Sequence, residues 1–336
     1  MPCTVVVGGF FGDEGKGKVI SYLALKDDVG LSVRGGVGTN AGHTVVWGGK
    51  TYKMRMLPSA FVHPRARLLI GPGVLVDPAI FLKEVEEVNA GGRTGLDPHC
   101  AVIEAQHIEQ DRSSKHLHEK IGTTGTGCGP CNVDRVRRVA KVAKDVPELQ
   151  RCLTDVALET NRAIEEGKSV LLEGTQGSFL SLYHGTYPYV TSKDVTAGSI
   201  ATDVGVGPKR IDDVLVVFKA YVTRVGGGPL PGELSGEEAE GRGWAEVATV
   251  TGRVRRVAPF SYDLAKRATM LNSATQIALT KADVVFPQCR GARGFEALPP
   301  EAVRFIERIE EETGVPVTLI GTGPSVWEMI DRRFSH

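Results

Sequence analysis

A wound α/β domain, with a mostly parallel central sheet, helices on both faces and a phosphate-loop-like nucleotide site, is the fold class this sequence predicts. Three observations carry it. Short apolar runs alternate with segments of helical spacing. A glycine-rich loop follows the first apolar run directly. The charges balance, with 40 Lys plus Arg against 40 Asp plus Glu in 336 residues, so an anion site must be built locally and not by a global field.

The first run, residues 4–7, reads as a buried strand, and residues 8–18 (GGFFGDEGKGK) as the loop and helix start at its end. Gly12, Gly15 and Gly17 let main-chain N–H groups approach a polyanion. A helix expected over 16–25 points its partial positive charge at the same spot, and Lys16 adds a full charge. Gly17 stands where an ordinary phosphate loop has a Ser or Thr for Mg²⁺, which leaves Asp13 as the nearest hard oxygen ligand. A ligand-free glycine turn is the plain alternative, and the strand, loop and helix context argues against it.

Further strands are expected at 67–70, 170–172, 214–218, 276–280 and 317–320, most of them ending at Gly, Thr or Lys. Helical spacing marks 78–89, 147–166, 262–271 and 300–313, the last with Val303, Ile306 and Ile309 on one face. One domain over 1–336 accommodates all of them, with the acidic stretch 233–243 as a surface excursion. In wound sheets ligands gather beyond the carboxyl ends of the strands, where these glycine-rich and polar motifs fall.

A second glycine-rich segment, 35–44, ends in Asn40-Ala41-Gly42-His43-Thr44, and its histidine could be a proton donor placed by a loop that closes on phosphate. The run Thr280-Lys281-Ala282-Asp283 suits a guanine site. The carboxylate accepts two N–H groups from the base edge, and the lysine stem packs on its plane. Gly321-Thr322-Gly323-Pro324 supplies a turn that could close over the same base or ribose. Residues 249–256 (TVTGRVRR) put Arg253, Arg255 and Arg256 on a loop as an anion clamp, and 121–130 (IGTTGTGCGP) is another phosphate-friendly loop, followed by a basic helix with Arg135, Arg137 and Arg138.

Other classes fit less well. The neutral balance speaks against nucleic acid and anionic membranes, no apolar run is long enough to span a bilayer, and the start is a strand feeding a loop, so a cytoplasmic protein recognising small molecules is expected. Six cysteines suit reduced thiols better than a disulfide frame. Cys128-Gly129-Pro130-Cys131 has a redox spacing but lies in mid-chain inside a Gly/Thr loop, away from the first strand and helix of a thioredoxin-like unit. His116 and His118 with those cysteines match no standard zinc spacing, so Mg²⁺ is the only metal expected.

The ordered set GDEGKGK, NAGHT, IGTT-x-x-G-x-GP, EGTQG with HGTYPYVTS, TRVGGGP, VTGR, TKAD and GTGP resembles the adenylosuccinate synthetase family over nearly the whole chain, in a short form like archaeal and viral members. That resemblance implies a carbon–nitrogen ligase joining L-aspartate to carbon 6 of a 6-oxopurine nucleotide through a GTP-derived 6-phosphoryl intermediate. It implies Asp13, His43 and Gln176 as catalytic residues and Asp13 with the Gly42 carbonyl as Mg²⁺ ligands. It further implies GTP contacts from Gly12, Glu14, Gly15, Lys16, Gly17, Gly42, Thr44, Arg255, Lys281, Asp283, Gly321, Thr322 and Gly323. The acceptor nucleotide would meet Asn40, Thr123, Thr124, Gln176, Thr191 and Arg253, with Arg138 supplied across a homodimer interface. Aspartate would meet Thr249, Thr251, Gly252, Arg253 and Arg255.

Three departures from the family pattern fall at Phe10-Phe11, at Val254 inside the arginine run, and at Pro259-Phe260-Ser261-Tyr262. Read as changes beside the purine or aspartate pocket, they resemble the viral relatives that make a 2-aminoadenine precursor, and they set dGMP above IMP as the expected acceptor. Retention of Asp13 and of a guanine-type TKAD points the other way. A GTP-binding switch protein and a nicotinamide oxidoreductase are the readings from other classes, the latter opposed by the irregular glycine spacing of the first loop.

Overall fold

The computed structural model of the chain describes residues 3–248 and 252–333. Nine strands form one sheet in the order Met329–Asp331, Val317–Gly321, Gln276–Thr280, Asp213–Lys219, Cys3–Gly8, Val170–Glu173, Leu31–Arg34, Arg67–Ile70 and Thr94–Leu96. Every neighbouring pair is parallel except the antiparallel edge pair of Val317–Gly321 with Met329–Asp331. Parallel strands require long crossovers that cover both faces of the sheet, so the central strands are apolar on both sides. The first strand is buried throughout, and its side chains alternate between the two faces with period two. Val5 and Val7 enter one core with Leu172, Val216 and Leu279, and Val6 enters the other with Leu171, Leu215 and Val217.

The strands expected at 67–70 and 276–280 and the helix at 300–313 are reproduced in full, and the other four strands extend by one residue at one or both ends. The helix expected over 147–166 is two elements, a 3-10 helix Pro147–Cys152 and an α-helix Val156–Glu165. Between them the Thr154 N–H joins Leu96 O at 3.0 Å, and the Asp155 carboxylate caps the second helix by accepting from the Leu158 N–H, so a fresh N-terminus interrupts the apolar period. The strand Leu31–Arg34 escaped sequence reading, since four residues with Ser32 and Arg34 among them carry no apolar run. The 121–130 loop is shorter than expected, because the helix Cys128–Arg137 begins inside it. Within the acidic stretch, Gly236–Gly241 forms a short helix closed by a capping box between Ser235 and Glu238.

All six cysteines are unbridged and buried, and burial pushes the Cys131 thiol up to about 12, far from the reactive range. No helix among the described residues is long and apolar enough to cross a membrane.

Candidate functional site

The glycine-rich loop leaves the sheet after Cys3–Gly8 and enters the helix Lys16–Lys26. Gly12 sits at φ +100°, and a Cβ there would stand 2.9 Å from Gln176 Cα, so only glycine lets this loop lie against the Gln176 turn. Glu14 braces the loop from inside. Its carboxylate, wholly buried, accepts from Phe10 N–H at 2.9 Å and Gly12 N–H at 2.8 Å and pairs with Lys16 Nζ at 2.9 Å. Lys16 also donates to Gln176 O at 2.5 Å. Both side chains, expected at the donor phosphates, are turned into the loop here. The helix N-terminus has no side-chain cap, which leaves its leading N–H groups for an anion.

Asp13 is gripped on one oxygen. The Thr223 hydroxyl donates to Oδ2, Arg255 Nε lies 3.0 Å from the same oxygen and Lys219 Nζ 3.9 Å from it. Oδ1 has no protein partner among the described residues, and Asp13 lines the main cavity. The cations and the hydroxyl thus hold one oxygen, and the other faces the cavity side of the loop.

His43 opens the strand His43–Trp47, and its Nδ1 lies 2.5 Å from Glu173 Oε1 and 2.7 Å from Arg34 Nη1. Glu173 also accepts from the Ser59 N–H at 2.6 Å and the Ser59 hydroxyl at 2.8 Å. A carboxylate at that distance assigns the ring proton to Nδ1. Nε2 is buried without a partner. Burial first, then Arg34, lowers the His43 pKa to about 4, against the pull of Glu173. The imidazole is therefore neutral, and it can give a proton from Nε2 only after a phosphate or another anion has raised its basicity.

A cavity of about 390 Å³ opens beside these groups. It brings together Gly12, Asp13, Asn40, Gly42, Thr123, Thr124, Gln176, Thr191, Arg253 and Arg255 from the expected set. Two buried amide oxygens, Asn40 Oδ1 and Gln176 Oε1, have no partner, as expected where a ligand completes the network. Asn40 Nδ2 meets Thr191 Oγ1 at 3.2 Å, and Arg253 crosses to the Gly122 and Thr123 carbonyls at 2.9 and 3.2 Å. Asp111 and Leu180, which no motif contains, also line it, as do Tyr189 of HGTYPYVTS and Arg224 of TRVGGGP, to which no role was given. Asp111 holds the Thr123 hydroxyl at 2.7 Å.

The guanine-type motif lies on the other side of the glycine loop. Thr280 Oγ1 donates to Glu14 O at 2.6 Å, Lys281 Nζ is 3.6 Å from Glu246 and the buried Asp283 has Arg290 at 3.9 Å. Lys18 ties this region to the 321–324 turn through Gly323 O at 2.5 Å. Thr44, Gly321 and Thr322 do not line the main cavity, and Arg138, exposed at the end of its helix, does not reach it. Thr249 and Thr251 lie outside the described residues, while Gly252 follows them directly. Glu246, Lys219 and Asp111 are charged groups of the site that no motif contained, and Glu173 opens the EGTQG motif without a role having been given to it.

The departures at Phe10 and Phe260 are not pocket residues, which corrects the expectation. Phe10 is buried in the core against Phe218 and Phe260, with ring centroids 4.7 and 5.3 Å away, and Val254 is exposed. Only Phe11 faces the cavity, with the Arg224 guanidinium 4.5 Å over its ring.

Comparison with known proteins adds to this geometry. The family model described as adenylosuccinate synthetase matches residues 5–148 and 139–287. A protein of Archaeoglobus fulgidus named adenylosuccinate synthetase is 57% identical over 99% of both chains, and one of Thermococcus onnurineus with the same name is 56% identical over 99% of both. Among solved structures, the fully ligated adenylosuccinate synthetase of Plasmodium falciparum superposes with TM-score 0.91 at 25% identity, covering 98% of this chain and 99% of that one. The succinoaminodeoxyadenylate synthetase of cyanophage S-2L, bound to dGMP and to dATP as an energy donor, superposes with TM-score 0.82 at 25% identity, covering 98% and 95%.

Proposed function

Since the chain belongs to the adenylosuccinate synthetase family of carbon–nitrogen ligases, we propose that it joins L-aspartate to carbon 6 of IMP with GTP as phosphoryl donor. The observation that carries this reading is the asymmetric grip on Asp13, with Oδ2 held by Thr223, Arg255 and Lys219 and no hydrogen bond to Oδ1 from the described residues.

Asp13 takes the proton from purine nitrogen 1, and the charge so created moves to the 6-oxo oxygen. That oxygen forms a bond to the terminal phosphorus of GTP as the bridge to GDP breaks. The amino group of aspartate then forms the carbon–nitrogen bond and expels inorganic phosphate from carbon 6. Gln176, with its free amide oxygen, meets the purine edge, and Asn40, Thr124 and Thr191 hold the acceptor phosphate. His43, backed by Glu173, becomes charged as the phosphoryl group arrives and stabilises it. Asp13 and the Gly42 carbonyl, two hard oxygens on one cavity, would hold Mg²⁺, which neutralises phosphate charge when bound. Asp283 and Lys281 take the guanine of the donor.

IMP is set above dGMP because relatives at 53–57% identity over nearly their whole length carry the name adenylosuccinate synthetase, while the cyanophage enzyme stands at 25%. Phe10, buried, and Phe260, partly buried, do not line the cavity, which weakens the case for an altered acceptor pocket. Purified protein given GTP, Mg²⁺ and aspartate with either nucleotide tests the choice. Turnover with IMP and little with dGMP is expected. Comparable or greater turnover with dGMP overturns the choice in favour of the viral-type acceptor.

A homodimer completes this reading. Val133, Val136 and Val139 are 58, 69 and 62% exposed around the helix end that carries Arg138, an apolar face beside an unused cation. Sedimentation that finds a monomer during turnover removes Arg138 from the site.

A further inference from the structure

Glu246 stands at the foot of a β-hairpin. Its backbone carbonyl accepts from Arg255 N–H at 2.9 Å, Val247 bridges Val254, and Ala248 N–H joins Arg253 O at 2.8 Å. The described part of its second arm holds Gly252, Arg253 and Arg255, which the resemblance assigns to aspartate. Just before Glu246, Trp244 is stacked on Tyr221, with ring centroids 5.0 Å apart and planes 14° apart, so the hairpin foot is fixed to the strand Tyr221–Arg224.

The Glu246 side chain points back into four groups, Arg255 from its own hairpin and one group from each of three other parts of the fold. Oε2 lies 2.9 Å from Lys219 Nζ and pairs with Arg255 Nη1, while Oε1 accepts from the Tyr221 hydroxyl and has Lys281 Nζ at 3.6 Å. Two of these cations, Lys219 and Arg255, are the ones that clamp Asp13, and the third belongs to the guanine-type motif. Lys219 is wholly buried and could not remain a cation there without a carboxylate beside it. Burial alone would raise the Glu246 pKa, but Lys219, Lys281, the Tyr221 hydroxyl and Arg255 bring it down to about 2.

We propose that Glu246 is a positioning residue for the reaction: one carboxylate fixes Arg255 and Lys219 against Asp13 and joins the aspartate hairpin to the donor-base motif through Lys281. It touches no reacting atom. The proposal rests on the ligase reading for its effect on turnover, and on the hairpin geometry alone for its effect on structure.

Two variants and two readouts test it. Glu246→Gln keeps the side-chain shape and an acceptor for Tyr221 but removes the charge, and Glu246→Asp keeps the charge on a shorter stem. For Glu246→Gln, kcat is expected to fall and KM for aspartate to rise, each by about 10- to 100-fold, because a displaced clamp loses the reactive geometry. KM for the acceptor nucleotide stays within about 3-fold, and Glu246→Asp recovers at least part of the loss. A uniform loss in all constants, or wild-type constants, overturns the proposal. Limited trypsin digestion reads the hairpin without turnover, since Arg253, Arg255 and Arg256 are its cleavage points. Glu246→Gln is expected to be cut there at least about 5-fold faster, with cleavage elsewhere unchanged. An unchanged rate at the hairpin, or faster cutting throughout the chain, overturns the proposal even if the wild type is inactive with either purine; such inactivity would count against the ligase reading alone.

Discussion

Phe10 and Phe260 meet edge to face, with ring centroids 5.3 Å apart and planes at 73°, although 250 residues separate them in sequence. Both positions are among the departures from the family pattern noted in the sequence, and the fold brings them into contact. An aromatic ring at one is packed by an aromatic ring at the other, with Phe218 closing the cluster at 4.7 Å from Phe10 and 5.9 Å from Phe260. They form one packing unit under the glycine loop. None of the three rings lines the cavity.

Phe10→Ala is accordingly expected to cost about 3–5 kcal/mol of stability, the usual range for a buried phenylalanine. The Phe10→Ala and Phe260→Ala effects couple by about 0.5–1.5 kcal/mol in a double-mutant cycle. Urea unfolding of the two single variants and the double variant measures both. The ratio of activities toward IMP and dGMP in Phe10→Leu stays at the wild-type value; a changed ratio returns Phe10 to the acceptor pocket.

Asp13→Asn removes the base and leaves the cradle. Turnover is expected to fall by at least about 10²-fold, with nucleotide affinity within a few-fold of wild type. Calorimetric titration beside a phosphate-release assay separates the two, and turnover near the wild-type rate would strip Asp13 of its role.

His43 makes stability depend on pH. In the folded chain its pKa is lowered to about 4, mainly by burial, whereas in the unfolded chain it titrates near 6.5. Between those values the unfolded state binds the extra proton, so this contribution is present in full above about pH 6.5 and is lost as pH falls toward 4. It amounts to roughly 3 kcal/mol at its largest. Chemical unfolding at pH 7 and pH 4.5 reads it, and His43→Asn should flatten the part of the slope that belongs to this residue. An equal slope in both proteins contradicts the assignment.

Asp283 is buried, with its nearest cation, Arg290, 3.9 Å away. Asp283→Asn is expected to reduce the preference for GTP over ITP by about 10-fold or more, because the carboxylate that accepts from the guanine 2-amino group has lost its charge. Competition kinetics with the two donors decides. The outcome that contradicts it is an undiminished preference for GTP.

The sequence by itself determined six of the nine strands of the central sheet, the helix after the glycine loop and the place of Asp13 in that loop, because each rests on local information, while Gln176 and Thr191 entered through the family resemblance. A run of apolar residues sets a strand, and a glycine is required where φ is +100° at Gly12. Only the tertiary structure decided which charges meet. Thr223 reaches Asp13 from 210 positions away, Glu173 reaches His43 from 130, and Lys219 and Lys281 converge on Glu246 from different strand ends. Those encounters depend on which parallel strands lie side by side, and that is fixed by how the crossovers pack on the two faces of the sheet, which no short window of sequence contains.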